Sequence, residues 1–330
     1  MAVSALLTLP ALPSAAQDSP VGDPSIPVTY VRLDGDGEGF LLRPAQPGPN
    51  AHVAMVFSHP NRDNYGQRPG WDMAQRGYTV LLVNYRGEDG TDDPPPEHFL
   101  PSISAGIDYL HGLEGIDKVV LLSHSGGGHL GALYQNVAEN GPGACNGPEK
   151  IVPCDPAGIE HLTAADGVVF LDTTLGAAHL MTAVDPAVRE DGTRDPALDM
   201  FAEANGYGSG KPATYSDAFI DAFYAGQAAR NAAVIDAALA RLKAVDAGEG
   251  DFSNDEPFTL RGIGVRAAGA RPYQPDLRFQ SHTKVPHLLL KADGEEETVI
   301  HSVRPVTANH LKVLNELGTM NYTGTLRNFL

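Results

Sequence analysis

The sequence predicts an α/β fold: a mainly parallel, doubly wound sheet with a largely helical cap insertion after the sixth strand. Uninterrupted apolar runs suit strands that are covered on both faces of a parallel sheet. Helix-compatible segments separate these runs, and strands that alternate with helices connect by right-handed crossovers. The four apolar runs are Ala54–Phe57, Thr79–Val83, Val119–Leu122 and Gly167–Leu171.

A β-hairpin is predicted ahead of the parallel strands. Val28–Leu33 and Gly39–Arg43 are strand-like, and Asp34-Gly35-Asp36-Gly37 between them is typical of a turn. One helix candidate carries an apolar stripe at positions i, i+4 and i+7, which allows it to pack on a sheet. That candidate is Ser102–Leu113, and its stripe is Ile103, Ile107 and Leu110. The other candidates are Pro69–Arg76 and Gly126–Ala138.

A serine motif stands where the third apolar run meets a helix candidate. Ser123-His124-Ser125-Gly126-Gly127 follows Val119–Leu122 directly. A sharp strand-to-helix turn of the type small-x-Ser-x-Gly holds a serine clear of the sheet, where a base can approach it. The flanking positions must be small because the backbones nearly touch there. Ser123 replaces the usual Gly at the first of them. We therefore expect Ser125 to be a nucleophile.

These features resemble the α/β-hydrolase superfamily, on its esterase and lipase side, over roughly Val28 to Leu175. The Ser123–Gly127 motif is similar to the nucleophile elbow of that superfamily. Phe57-Ser58-His59-Pro60-Asn61 is similar to the loop after the third strand, which supplies part of the oxyanion hole, although Pro60 stands in place of Gly. Val83-Asn84-Tyr85-Arg86-Gly87 is similar to the Asp-x-Arg-Gly turn after the fourth strand, with Asn84 in place of Asp.

The resemblance implies an oxyanion hole beside Ser125. Prealigned N–H donors stabilise the charge that develops on an ester carbonyl by about 3–4 kcal/mol each. We expect the N–H of Gly126, first in its helix, to be one donor, because the helix dipole adds to its effect. Asn61 is the candidate for the second donor. No cofactor and no metal are expected.

The acid of a catalytic triad has two candidates, and its base is not identified. The resemblance implies the order Ser, acid, His. Asp172, at the end of the sixth strand, is the acid if His287–Lys291 pairs with Thr298–Val303 as a hairpin around Asp293-Gly294, which we favour. Glu297 is the acid if His287–Lys291 is instead the seventh strand. The base candidates are His301 and His310, and the alternative is a fragment that lacks its catalytic histidine.

The segment after the sixth strand reads as an insertion. Gly176 to about Lys284 loses the sheet pattern, with Ser216–Val245 predicted helical between the irregular stretches Asp185–Tyr215 and Asp246–Ser281. The resemblance implies a cap over the active site. The helix is expected to carry one apolar face: Phe219, Phe223, Ile235, Leu239 and Leu242. Phe219, Phe223 and Tyr224 are expected to pack rather than to line a substrate pocket.

The expected organisation of the chain is a signal peptide at 1–16, a core at 17–175, a cap at 176–284 and a C-terminal segment at 285–330. Within the C-terminal segment, Asn321–Leu330 is expected to be the start of a strand or a helix.

Charge and cysteine usage narrow the classes of partner. The formal net charge of −18 argues against nucleic acid or an anionic membrane surface as partner. No apolar run reaches the length of a membrane span. The apolar stretch Ala2–Ala16 is typical of a secretory signal, so we expect a secreted or periplasmic protein. In that setting Cys145 and Cys154 are expected to form a disulfide rather than a zinc site. Closing this loop is expected to stabilise the folded state by roughly 2.7 kcal/mol on the chain-entropy model.

The predicted function is hydrolysis of carboxylic esters through an acyl-enzyme on Ser125, with a small-molecule or polymeric ester as substrate. Amide hydrolysis uses the same geometry, so an amidase or peptidase is one alternative. A catalytically silent hydrolase-fold protein is the other. We expect contacts made by the cap to set the acyl and alcohol specificity.

Overall fold

A computed structural model describes residues 23–35, 37–44, 46, 48–60, 63–85, 95–147, 150–173, 181, 184–200, 202–207, 214–262, 289–290, 296–297 and 322–330. The chain divides into two compact units. The sheet unit comprises Met1–Glu88, Phe99–Pro142 and Pro156–Thr173. The helical unit comprises Asp89–His98, Gly143–Asp155 and Thr174–Leu330.

The sheet unit is built on a sheet that, within the described residues, has six strands in the order β1-β2-β4-β3-β5-β6. The strands β1, β2 and β4 pair antiparallel, and β4, β3, β5 and β6 pair parallel. The predicted hairpin and all four predicted apolar strands are confirmed. Their bounds are β1 Val28–Arg32, β2 Gly37–Leu42, β3 Val53–Ser58, β4 Thr79–Tyr85, β5 Lys118–His124 and β6 Gly167–Leu171.

The helices of the sheet unit bury apolar side chains against this sheet. They are α1 Arg68–Gln75, α2 Leu100–His111 and α3 Gly127–Asn140. The predicted stripe of α2 is confirmed, since Ile103, Ile107 and Leu110 are all buried. The α2 helix begins two residues before the predicted Ser102, because Pro101 fits the first turn of a helix, where its missing N–H has no partner to lose. Trp71 of α1 packs into a core cluster with Phe57 and Leu82.

Strand β6 departs from the expectation that its apolar run is covered on both faces. Val169, Phe170 and Leu171 are exposed by 42%, 55% and 41%. The physical reason is position: β6 is the edge of the sheet in the described part of the chain, with β5 as its partner there. The apolar run therefore predicted the strand correctly, but the expected burial of both of its faces is wrong.

The helical unit is organised around one long helix, α4 Asp217–Asp246. The Ser216 hydroxyl caps it by accepting a hydrogen bond from the Phe219 N–H at 3.2 Å. Phe219 and Phe223 pack with Met200 and Tyr215, as predicted. Leu239 is exposed, so its predicted place on the apolar face is wrong. Tyr224 is exposed as well, although packing was expected for it.

A second core in the helical unit brings distant segments together. Strand β7 Pro257–Leu260 lies within a stretch that was predicted to be irregular. A four-residue strand whose burial alternates is too short for its pattern to stand out in sequence. It pairs antiparallel with a strand near the end of the chain, Tyr322–Thr325, which continues directly into helix Leu326–Phe329. The predicted "strand or helix start" at Asn321–Leu330 is therefore a strand followed by a helix.

Part of the pairing predicted around Asp293-Gly294 is observed, since strand β8 Leu289–Leu290 pairs antiparallel with β9 Glu296–Glu297. The predicted turn Asp293-Gly294 and the predicted partner strand Thr298–Val303 lie outside the described residues. Two further elements are numbered in chain order from here, β10 for Tyr322–Thr325 and α5 for Leu326–Phe329.

The predicted disulfide is confirmed. Cys145 and Cys154 are bonded, with their Cα atoms 5.9 Å apart. Buried Glu97 lies beside this bond, and its carboxylate accepts a hydrogen bond from the Asp155 N–H at 3.2 Å. None of the helices in the described ranges combines the length and apolar character needed to cross a membrane.

Candidate active site

Ser125 occupies a strained turn between β5 and α3. Its φ is +51°, in the left-handed region that non-glycine residues seldom adopt. The Ser125 N–H donates to the Leu171 carbonyl of β6 at 3.2 Å, and its own carbonyl accepts from the Gly128 N–H at 3.1 Å. These bonds hold the strained residue in place. Such strain persists where the surrounding structure fixes it, and it concentrates at active sites.

The small residues of the motif are required by packing. A Cβ added at Gly127 would lie 2.5 Å from the Ser58 carbonyl oxygen, a backbone atom that cannot move aside easily. The close approach expected of this position is therefore real, and its partner is the end of β3 as well as the turn itself. Any side chain at Gly127 would push α3 away from the sheet.

Gly126 is the N-cap of α3 rather than its first helical residue, a small correction to the predicted boundary. Its N–H donates to no backbone carbonyl of a described residue, whereas the nearby N–H groups of Ser125 and Gly128 both do. The amide thus stands at the positive end of the α3 dipole. That is the environment in which a backbone N–H stabilises an anion.

The loop after β3 lies directly against Gly126. A Cβ at Gly126 would lie 3.2 Å from His59 Nε2 and 3.3 Å from Pro60 Cγ. The structure therefore brings together two of the three stretches that the sequence singled out. Asn61, the predicted second oxyanion donor, lies outside the described residues.

Asp172 follows β6 immediately and, like Ser125, has a positive φ, at +45°. The residue before it, Leu171, accepts the Ser125 N–H, as described above. The residue after it, Thr173, fills the space over Gly128, where any Cβ would overlap the threonine side chain. Asp172 is therefore anchored on both sides to the turn that carries Ser125, and its side chain is exposed.

The histidines of the described region differ in environment. His129, one turn into α3, is largely buried, and burial lowers its pKa, which keeps the ring neutral at physiological pH. His124 lies beside a cavity of about 280 Å³ that Met73 and Leu171 also line. The predicted base candidates His301 and His310 lie outside the described residues. Glu297, the alternative acid, lies in β9.

In the described part of the chain, one group of side chains has the spacing of a metal site, namely Glu97, Cys145 and Cys154. The two sulfur atoms are joined in the disulfide, so they are not available as thiolate ligands.

Sequence reasoning missed one polar pair, Asn64 and Asn84. Both side chains are buried, and the Asn64 N–H donates to Asn84 Oδ1 at 2.8 Å. Asn84 was noted only as a replacement for Asp in a family motif, and Asn64 belongs to no motif. A loop residue and a strand end that are twenty positions apart leave no local pattern by which to find such a contact.

The chain matches one protein family and is similar to several solved structures. Residues 55–310 match the Alpha/beta hydrolase family. No curated protein matches the chain. Among solved structures, a sugar hydrolase from Lactococcus lactis is 20% identical over 46% of this chain and 54% of its own, with a TM-score of 0.30.

Two further solved structures are similar to the chain. Esterase B from Lactobacillus rhamnosis is 14% identical over 47% of this chain and 51% of its own, with a TM-score of 0.35. A hypothetical protein from Pseudomonas aeruginosa is 12% identical over 96% of this chain and 78% of its own, with a TM-score of 0.41. The chain spans about half the length of the sugar hydrolase and of esterase B.

The family match includes the end of β3, the Ser125 turn and Asp172, and it extends over most of the chain. The mainly parallel sheet, its flanking helices and the strained serine between β5 and α3 agree with that match. The chain belongs to the alpha/beta hydrolase family.

Proposed function

We propose that the protein is a serine hydrolase that cleaves carboxylic esters through an acyl-enzyme on Ser125. The observation that carries the proposal is the backbone of Ser125, held at φ +51° between a parallel strand and a helix. This geometry presents the hydroxyl at the carboxyl edge of the sheet. It also leaves the Gly126 N–H available beside it as an oxyanion donor.

Asp172 is the proposed acid. It is anchored to the Ser125 turn through its neighbours Leu171 and Thr173, and it shares the positive φ of Ser125. Strain at two polar residues on adjacent strand ends is typical of a functional site. Asn61 remains the proposed second oxyanion donor, and His301 and His310 remain the candidates for the base.

The reaction follows from these roles. The base takes the Ser125 proton as Oγ bonds to the ester carbonyl carbon, and the Gly126 N–H stabilises the negative charge on the carbonyl oxygen. The carbon–oxygen bond to the alcohol breaks, and the base returns the proton to the departing alkoxide. Water then attacks the acyl-enzyme by the same steps in reverse, releasing the acid and restoring the Ser125 hydroxyl.

The test is covalent labelling. A fluorophosphonate probe should attach to Ser125, as read by peptide mapping, and Ser125→Ala should lower kcat on p-nitrophenyl esters by roughly 10⁴-fold or more. Ser25→Ala, a change at an exposed serine of the same unit, serves as the matched control and should keep full activity. Labelling at another serine would rule out the assignment.

Two alternatives have their own measurements. Because amide hydrolysis uses the same groups, the rates on p-nitrophenyl esters and on anilides of the same acyl groups distinguish an esterase from an amidase. A catalytically silent protein would neither label nor turn over. Separate His301→Ala and His310→Ala variants identify the base, since the catalytic one loses several orders of magnitude of activity.

We also propose that the protein functions in an oxidising compartment. The Cys145–Cys154 disulfide supports this, because such bonds persist outside reducing cytosol. Alkylation and mass spectrometry of the native protein should find no free thiol, whereas two alkylated cysteines would contradict the proposal.

A further inference from the structure

A pair of buried asparagines connects the end of β4 to the loop that covers Gly126. Asn64 is 1% exposed and Asn84 is 4% exposed. An uncharged polar side chain buried to this degree is retained at a cost unless its hydrogen bonds are made. The bonds that Asn64 makes therefore indicate what it does.

Asn64 acts as a donor through both its backbone and its side chain. Its backbone N–H donates to Asn84 Oδ1 at 2.8 Å. Its side-chain Nδ2 donates to the Val83 carbonyl at 2.7 Å and more weakly to the His59 carbonyl at 3.4 Å. The side-chain amide of Asn64 thus links the His59 carbonyl, at the start of the β3–α1 loop, to the Val83 carbonyl near the end of strand β4.

The orientation of the Asn64 amide follows from the same contacts. Rotating the amide by half a turn would direct Oδ1 at the Val83 carbonyl, an acceptor facing an acceptor. In the observed orientation Oδ1 is buried and accepts no hydrogen bond among the described residues. A buried acceptor without a partner costs about 1–3 kcal/mol. The observed orientation is therefore the one that gives both carbonyls a donor.

The loop that Asn64 closes is the one that lies against the proposed oxyanion donor. His59 Nε2 and Pro60 Cγ are within 3.3 Å of the space above Gly126. The Asn64 side chain donates to the carbonyl of His59, and His59 itself lies against Gly126. A shift of Asn64 would therefore change the position of His59 relative to Gly126. A displacement of about 1 Å in a catalytic group costs on the order of 10²-fold in rate.

We propose that Asn64 is a positioning residue for the oxyanion hole, with its side chain as the donor and Asn84 as the acceptor that holds it. The inference rests on the proposed serine-hydrolase function. It assigns no chemical step to either asparagine. Asn64 acts on the reaction through the backbone of the His59–Pro60 segment.

The central variant is Asn64→Asp, which keeps the shape of the side chain and replaces the NH₂ group that donates to the Val83 and His59 carbonyls with an oxygen. We expect kcat on p-nitrophenyl acetate to fall roughly 10–100-fold with KM nearly unchanged, because transition-state stabilisation is lost rather than substrate binding. Asn84→Asp keeps an acceptor oxygen for the Asn64 N–H and should stay within about threefold of the parent. A fall of equal size in both variants would overturn the division of roles.

The control is Asn140→Asp, the same change at an exposed amide that also donates to a backbone carbonyl, that of Asn136 at 3.1 Å. It should leave kcat and KM unchanged. Thermal unfolding is measured for every variant, because a purely structural role would lower the unfolding temperature and leave kcat per folded molecule intact. If Asn64→Asp does not fold, Asn64→Ala, which removes the side-chain donors without introducing a carboxyl group, carries the same kinetic test.

A crystallographic readout separates this inference from the proposed function. In Asn64→Asp we expect the His59 backbone to move away from Gly126 by about 1 Å relative to the parent. An unmoved loop overturns the inference, whatever the activity. If Ser125 in the parent does not react with a fluorophosphonate probe, the ester-hydrolase proposal fails, and the loop displacement still decides the positioning role.

Discussion

At the scale of single residues, the unusual serine at position 123 of the motif is matched by a glycine in the helix that follows. Ser123 stands where a glycine is usual, and its hydroxyl is buried without a hydrogen bond from any described residue. It lies against Gly131 of α3, where an added Cβ would overlap Ser123 Oγ. The Ser123 side chain therefore occupies the space that is left free because Gly131 has no side chain.

This pairing predicts strong coupling between the two positions. Gly131→Ala should destabilise the protein by about 1–3 kcal/mol, because overpacking outweighs the better helix propensity of alanine. In a Ser123→Gly background the overlap disappears, and the same Gly131→Ala change should cost less than about 1 kcal/mol. Urea unfolding of the four proteins of this double-mutant cycle measures the difference. Additive effects of the two changes would contradict the proposed contact.

At the scale of secondary-structure elements, one carboxylate ties the starts of two parallel strands together. Asp166, just before β6, accepts hydrogen bonds from Lys118 Nζ at 2.6 Å and from the Val119 N–H at 2.9 Å, and it contacts His111 Nε2 at 3.1 Å. The bond from Lys118, followed by that from Val119, holds the pKa of Asp166 well below its usual value. The ionised form is therefore the one that stabilises the β5–β6 pairing.

The depressed pKa predicts the sign of a pH dependence. A carboxyl group of this kind contributes stability above its unfolded pKa of about 3.9, and the contribution is lost as the pH falls through the lower folded value. Asp166→Asn should cost about 1 kcal/mol of unfolding free energy at pH 7, after allowance for its partial exposure. The difference from the parent should shrink below about pH 4.

Urea unfolding at several pH values measures this effect, with Asp117→Asn as the control. Asp117 is an exposed carboxylate next to Lys118, so its replacement changes the net charge equally. A difference between Asp166→Asn and the parent that is constant from pH 3 to pH 7 would show that the ionised hydrogen bonds are not its source.

The same elements indicate which parts of this fold are predictable from sequence. Strands β3, β4 and β5 and the stripe of α2 were predicted because burial imposes a local pattern on consecutive residues. Strand β7 was missed because its stability comes from β10, whose Tyr322 pairs with Leu260 across a long stretch of chain. The turn at Ser125 was predicted because strand, small residues and helix are contiguous, whereas the contact between Asn64 and Asn84 forms only after the chain has folded.

At the scale of the whole molecule, each unit has its own apolar core. Leu326 and Phe329 of α5 pack with Phe258 and Leu260 of β7 and with Leu242 of α4, all within the helical unit. The cluster around Trp71 belongs entirely to the sheet unit. The residues proposed for chemistry that the structure describes, Ser125, Gly126 and Asp172, lie in the sheet unit.

The strongest property of the whole chain is its charge, which predicts a response to salt. At a formal net charge of −18 we expect repulsion among carboxylates to outweigh the attractions of ion pairs such as Arg194 with Asp199. Raising the ionic strength from 0.01 M to 0.15 M shortens the Debye length from about 30 Å to about 8 Å, which screens long-range repulsion more than close pairs. The unfolding temperature should therefore rise, by roughly 1–2 °C if repulsion contributes about 1 kcal/mol. Differential scanning calorimetry in sodium chloride and in choline chloride distinguishes screening, which both salts provide, from binding of sodium. A temperature that falls with either salt would mean that close ion pairs dominate the electrostatics of the folded protein.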